Sequence, residues 1–167
     1  MGRYRPPQKP GSKYITPEGH ASLTTELDNL WRKRRPAVTK ALSEAAAEGD
    51  RSENAEYIYR KKELREIDSR VRFLRKRLEN IVIVDNKPAD TNKIYFGANI
   101  TLEDDQSAEE TSYRIVGPDE TDAKKNHISM DSPLGKALLG KQLDDEIRVQ
   151  TPKGEMCYFI VEIDYEN

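Results

Sequence analysis

The stretch Glu48-Gly49-Asp50-Arg51-Ser52-Glu53-Asn54-Ala55-Glu56-Tyr57 separates two long runs of helical periodicity. Before it, Leu23, Leu27, Leu30, Arg34, Val38, Ala41 and Ala45 recur at spacings of three and four. After it, Tyr57, Arg60, Leu64, Ile67, Val71, Leu74, Leu78 and Ile81 alternate the same two spacings without a break. A sustained period of 3.5 predicts a coiled-coil seam. The connection is too short for anything but an antiparallel pair, so the stretch is the tip of a helical hairpin. A helix of about 30 residues is ~45 Å long, which suits an element that reaches into a deep channel.

Local signals set the ends of these helices. Thr16-Pro17 predicts an N-cap followed by proline at the first helical position. Gly49 is placed to cap the end of the first helix near Glu48. Consecutive steps of four at Leu30, Arg34 and Val38 form a stutter in the heptad, and it coincides with Pro36, which predicts a bend. Trp31 flanks the seam and is expected to pack there.

Residues 1–14 hold Arg3, Arg5, Lys9, Lys13 and three prolines, and they predict a flexible basic arm. The hairpin is expected over 15–80, with its acidic tip at 49–57. From Ile81 the apolar period changes to two. Strands are expected at 81–84, 98–102, 111–116, 146–150 and 155–165, with a hairpin turn at Thr151-Pro152-Lys153-Gly154. Ser132-Pro133 predicts a short helix that Gly140 can stop. On the last strand, Cys157, Phe159, Val161, Ile163 and Tyr165 share one face, which is expected to be core, with Cys157 a small buried hydrophobe. The result is an α+β chain: a long antiparallel coiled coil followed by a small antiparallel sheet domain with one short helix over 81–167.

Charge is distributed unevenly. The net charge of −2 conceals a first part, residues 1–79, with 19 Lys and Arg against 12 Asp and Glu, a balance of +7. The remainder carries a balance of −9. The cations crowd the second helix, densest near the tip at Arg60, Lys61, Lys62 and Arg65, which points to contact with a polyanion. A solvated face interleaved with Glu63, Glu66 and Asp68 accounts for part of this excess. One cysteine excludes an internal disulfide and a cysteine-cluster zinc site. No run approaches membrane-spanning length and the first residues lack an apolar signal region, so a cytoplasmic protein is expected.

Two readings of the tip acids stay open on spacing alone. Asp50 and Glu53 lie three apart. In a first helical turn they would be a capping box, with Asp50 as N-cap and Glu53 at N3, and Ser52 is a rival cap. The same spacing would let both carboxylates reach one divalent cation or its waters. Two exposed carboxylates do not hold Mg²⁺ firmly, so a metal role requires further ligands from a partner.

The tip motif resembles that of the bacterial Gre transcript-cleavage factors. Leu30-Trp31-Arg32, Arg35-Pro36, Val38-Thr39-Lys40 and Leu64-Arg65-Glu66-Ile67-Asp68 are similar to the GreB branch in particular. The run Ile128-Ser129-Met130-Asp131-Ser132-Pro133-Leu134-Gly135-Lys136 resembles the family's C-terminal signature. The resemblance covers about residues 14–165. It implies an FKBP-like C-terminal domain that docks on RNA polymerase through Asp131, Ser132 and Pro133. It implies a coiled coil that enters the polymerase secondary channel, and the polymerase's own active site cutting the 3′ segment of backtracked RNA. Asp50 and Glu53 would hold a Mg²⁺ jointly with the polymerase, and Arg60, Lys61, Lys62 and Arg65 would contact the RNA. The chain would thus not be an enzyme itself. A Gre-fold regulator that binds polymerase without promoting cleavage is the alternative. A prolyl isomerase is disfavoured, because the C-terminal part has no Trp and few aromatic residues to line a pocket.

Overall fold

The structure, a computed structural model, describes residues 9–49 and 53–166. Asp50, Arg51 and Ser52 lie outside the described residues, as does most of the basic arm. Two compact units are present. One is helical, His20–Ile81; the other combines the residues up to Gly19 with those from Val82 onward.

The helical unit is an antiparallel hairpin, as the periodicity predicts. Its first arm comprises α1 (Pro17–Asn29), a π-helical turn (Leu30–Arg34) and α2 (Arg35–Ala47). Its second arm is α3 (Ala55–Asn80). Val38, Ile67 and Val71 are buried together, with Leu27, Leu30 and Leu64 packed around them. The stutter is realised as the π turn, whose Arg35 N–H donates to Leu30 O. A π turn accommodates the extra step of four. It also lies immediately before Pro36, which has no N–H to give and whose ring crowds the carbonyl four residues back. Trp31 sits in this turn and is 44% exposed, so it is not packed into the seam as expected.

In the second unit, β1 (Tyr14–Ile15) pairs in parallel with β2 (Val82–Ile83). Lys13 O accepts from the Val82 N–H at 2.6 Å. Ser12 donates its N–H to Asp131 Oδ2 at 2.8 Å. Residues 12–14, expected to lie in a flexible arm over 1–14, are therefore held against the folded unit. Thr16 caps α1 as predicted, accepting from the Gly19 N–H at 3.1 Å. Glu120 holds this entry by accepting the Thr16 N–H at 3.0 Å. Close approach is possible because residue 117 is glycine: a Cβ there would lie 2.1 Å from Tyr14 O.

The main sheet has the order β5-β4-β3-β7-β6. Its members are β3 (Asn99–Asp104), β4 (Glu110–Val116), β5 (His127–Ser129), β6 (Glu146–Thr151) and β7 (Gly154–Asp164). The α+β class stands, but the sheet is mixed rather than antiparallel throughout, because β5 runs parallel to β4. Between them a 3₁₀ turn at Ala123–Lys125 reverses the chain. Helix α4 (Pro133–Leu138) begins where Ser132-Pro133 predicts, with Ser132 Oγ accepting the Gly135 N–H at 3.0 Å. The core gathers Ile94, Ala98, Ile100, Leu102, Ile115, Leu138, Ile147, Val149, Ile160 and Tyr165.

The face expected for the last strand is correct only at its far end. Leu102 pairs with Ile160 while Thr101 pairs with Glu162, so Val161 is an extra residue, a β-bulge. Beyond the bulge, Ile163 and Tyr165 face the core as predicted; before it, the parity is reversed and Tyr158 and Ile160 face inward. Cys157 is consequently not buried core. It lies on the outer face with its thiol donating to Glu146 Oε1 at 3.2 Å. That hydrogen bond, together with desolvation and the charges of Glu146 and Asp105, raises the thiol pKa above its usual value.

Two measurements check this arrangement. Ile160→Ala should lower the stability of this unit by about 3 kcal/mol in urea unfolding, whereas Cys157→Ala should cost under ~1 kcal/mol. Equal losses would place the bulge elsewhere. Thiol titration with a disulfide reagent at pH 8 should be slow and should quicken several-fold in Glu146→Gln. Removing the carboxylate lowers the thiol pKa and raises the thiolate fraction.

Candidate functional site

The tip is built from the end of α2, the connection, and the start of α3. Helix α2 ends at Ala47. Glu48 is its C-cap, and Gly49 follows with φ +144°, a backbone angle that suits glycine. Helix α3 starts at Ala55, and its N-cap is Asn54. Asn54 Oδ1 accepts the Tyr57 N–H at 3.1 Å. Its Nδ2 donates to Ala45 O at 2.7 Å. One amide thus satisfies an orphan donor at the start of α3 and an acceptor at the end of α2, and clamps the two arms together at the tip.

This geometry decides part of the question left by the spacing. Glu53 is not at N3 of a capping box but immediately precedes the N-cap, exposed to solvent. Asn54, not Asp50 or Ser52, caps α3. The signal for it was in the sequence: an asparagine placed three residues before Tyr57, the first seam position. Asp50 lies outside the described residues. Glu53 offers hard carboxylate oxygens at the tip, the donor type that Mg²⁺ takes. Among the described residues, no group of three or more His, Cys, Asp or Glu is placed to hold a metal ion.

The four expected RNA-contacting cations differ in their surroundings. Arg60 is held within the hairpin, with Nε 2.8 Å from Glu56 Oε1 and Nη1 3.0 Å from Glu63 Oε2. These two carboxylates raise its pKa. Glu63 also pairs with Arg34 across the seam. The Lys61 ammonium lies 5.8 Å from the Tyr57 ring centre, and Lys62 is 4.0 Å from Glu66. Lys61, Lys62 and Arg65 are all exposed. Near them Ile58 and Tyr59 are also exposed, at 53% and 58%. In the other unit, Asp131 and Ser132 are half-buried and engaged: Asp131 accepts from Ser12, and Ser132 caps α4. Pro133 is exposed at the first position of that helix.

The model of the N-terminal domain of transcription elongation factors matches residues 13–83, and that of the GreA/GreB C-terminal domain matches residues 88–165. The chain belongs to the GreA/GreB family of transcription elongation factors. It is 64% identical over 165 residues to transcription elongation factor GreB of Pseudomonas aeruginosa, covering 99% of this chain and 98% of that protein. GreB of Xanthomonas axonopodis pv. citri is 58% identical with the same coverage. GreB of Yersinia pestis is 60% identical over 92% of this chain and 90% of its own. A crystal structure of the Gfh1 protein of Thermus thermophilus, 30% identical, aligns over 90% of this chain and 97% of that one with a TM-score of 0.41. The Gre resemblance read from the tip and from Ile128–Lys136 is thereby established. No helix among the described residues is long and apolar enough to cross a membrane.

The clamp can be tested at the tip amides. Asn54→Ala should cost about 1–2 kcal/mol locally and speed hydrogen exchange at Tyr57 and Ile58 roughly tenfold. Asn54→Asp keeps the cap but sets a carboxylate against Ala45 O, and should fall between alanine and wild type. Wild-type exchange in Asn54→Asp would show that the Ala45 link contributes nothing.

Proposed function

We propose that this Gre-family chain binds RNA polymerase, enters the secondary channel with its hairpin, and stimulates the polymerase's own cleavage of backtracked RNA. One observation carries this reading beyond family membership: Asn54 takes over the capping of α3, which leaves the Glu53 carboxylate exposed at the tip instead of spent on the helix N-terminus. A carboxylate that terminates a long, narrow hairpin can be presented to a site that nothing broader can enter.

Asp50 and Glu53 are the residues that would hold a Mg²⁺ jointly with the polymerase, in keeping with the oxygen ligands that ion prefers and its habit of sharing them with substrate phosphates. Such an ion would supply charge stabilisation and an activated water to phosphoryl transfer. The chain's own contribution is positional. The Asn54 clamp and the seam fix where the carboxylates stand. Lys61, Lys62 and Arg65 present the cations that would contact the extruded RNA. Arg60 supports this surface indirectly, since its guanidinium is occupied by Glu56 and Glu63. Pro133, on the ordered loop of Asp131 and Ser132, is the exposed point of the docking surface on the other unit.

The test is transcript cleavage on stalled, backtracked polymerase in Mg²⁺. Wild type should accelerate cleavage. Asp50→Asn and Glu53→Gln should each lose at least roughly tenfold of that stimulation while binding polymerase normally. Both variants cleaving like wild type would sink the tip mechanism. Binding by wild type with no stimulation at all would favour the regulator that does not promote cleavage.

A further inference from the structure

Trp31 is the only tryptophan of the chain, and seam packing does not use it. It stands in the π turn, a helical irregularity that recurs at functional sites because it re-aims side chains. The Arg75 guanidinium lies 4.2 Å from the ring centre and that of Arg35 lies 5.3 Å away. These residues line an open groove of about 440 Å³ together with Asp68, Arg72, Lys76 and Glu79. Within it Arg35 is already committed, with Nε 2.7 Å from Asp68 Oδ1. Among the described residues, Arg72, Arg75 and Lys76 have no carboxylate within ion-pair distance. Three uncompensated cations thus converge beside an exposed indole, some 27 Å along the helix from Gly49 at 1.5 Å per residue.

We infer that this groove is a docking site for an acidic protein segment, one that presents neighbouring carboxylates beside an apolar side chain. The indole face selects that occupant over single-stranded nucleic acid, and the charge of the groove requires it to be anionic. First, base stacking needs a bare aromatic face, and Arg75 packs closely over the indole. Second, a guanidinium held by an aromatic ring keeps its N–H fork free and pre-oriented; the fork pairs bidentately with a carboxylate or a phosphate, so it requires an anionic occupant. The exposed rim of Trp31 then supplies the apolar anchor, as tryptophan and arginine commonly do at the centre of protein interfaces. This site is separate from the tip, and neither its argument nor its test depends on the cleavage reading.

The lone tryptophan makes the groove its own reporter. The full chain would be titrated with an octapeptide alternating Glu and Leu, and in parallel with an octamer of uridylate. Binding would be followed by Trp31 emission and by anisotropy of the labelled probes. The peptide should shift the emission saturably. Arg75→Gln and the double variant Arg72→Gln/Lys76→Gln should each weaken peptide binding about tenfold. Lys40→Gln, elsewhere on the hairpin, should leave it unchanged, and circular dichroism should show all variants folded. Peptide affinity that ignores both groove variants would overturn the proposal, as would the absence of saturation. Tighter, Arg75-dependent binding of the uridylate would equally overturn it and reassign the groove to RNA.

Discussion

The tip depends on one primary amide. Asn54 is the residue type that can accept at one atom and donate at another, and both are used: the Tyr57 N–H is accepted and Ala45 O receives a donor. A serine or aspartate would cap α3 as well but could not reach back to α2 with a fixed donor pair. The consequence reaches beyond stability. Acids next to a helix N-terminus are ordinarily drawn into capping, where their oxygens are consumed by backbone N–H groups. Here the amide has that task, and Glu53 is left outside the helix with its oxygens facing solvent. The clamp therefore settles how the chain can keep acids at a helix start without spending them on it.

Lower in the hairpin, the constraint is Pro36. A proline in a helix removes one N–H and crowds a carbonyl, at a cost of about 3 kcal/mol if nothing relaxes. The π turn at Leu30–Arg34 widens the helix just before it and absorbs the extra residue that the heptad carries. Trp31 stands exposed in this turn and Arg35, just after it, meets Asp68, so a backbone accommodation coincides with a surface feature. The charges near the seam follow the same logic. Arg34 occupies a seam position yet survives because Glu63 on the facing helix answers it, with Arg60 on the other side of the same carboxylate.

The hairpin and most element starts were legible in the sequence because they rest on local chemistry. Thr16-Pro17 and Ser132-Pro133 carry their N-caps in the residues themselves, and an unbroken run of threes and fours fixes the seam of α3. The features that were not legible depend on partners distant in the chain. Lys13–Ile15 become a strand edge only because Val82–Val84 lie alongside, and their basic, proline-rich neighbourhood signals the opposite. The parity of β7 flips at Val161 because β3 and β7 differ in register by one residue, and alternating hydrophobics before and after a bulge look the same in sequence. At the tip, Asp50 and Ser52 were plausible caps by type. What distinguishes Asn54 is the carbonyl of Ala45, nine residues earlier, which no local pattern displays.

The cations of the hairpin, which composition presents as a single basic face, separate physically into two sets. Arg34, Arg35, Arg60 and Arg70 are each within ion-pair distance of a carboxylate, Arg70 through two bonds of 2.7 and 3.0 Å to Glu26. Exposed pairs of this kind stabilise by about 0–1 kcal/mol each, and their fields largely cancel beyond the ~8–10 Å Debye length. What a distant partner senses along α3 is the remainder: Lys61 and Arg65 toward the tip, and Arg72, Arg75 and Lys76 further along. That remainder is not continuous, because the one cation of α3 between Arg65 and Arg72 is Arg70, and Glu26 holds it. A single polyanion following the whole length would cross this break. Two partners, one met near the tip and one met lower down, would not, and the interruption of charge is the physical reason to treat the hairpin as carrying two interaction surfaces.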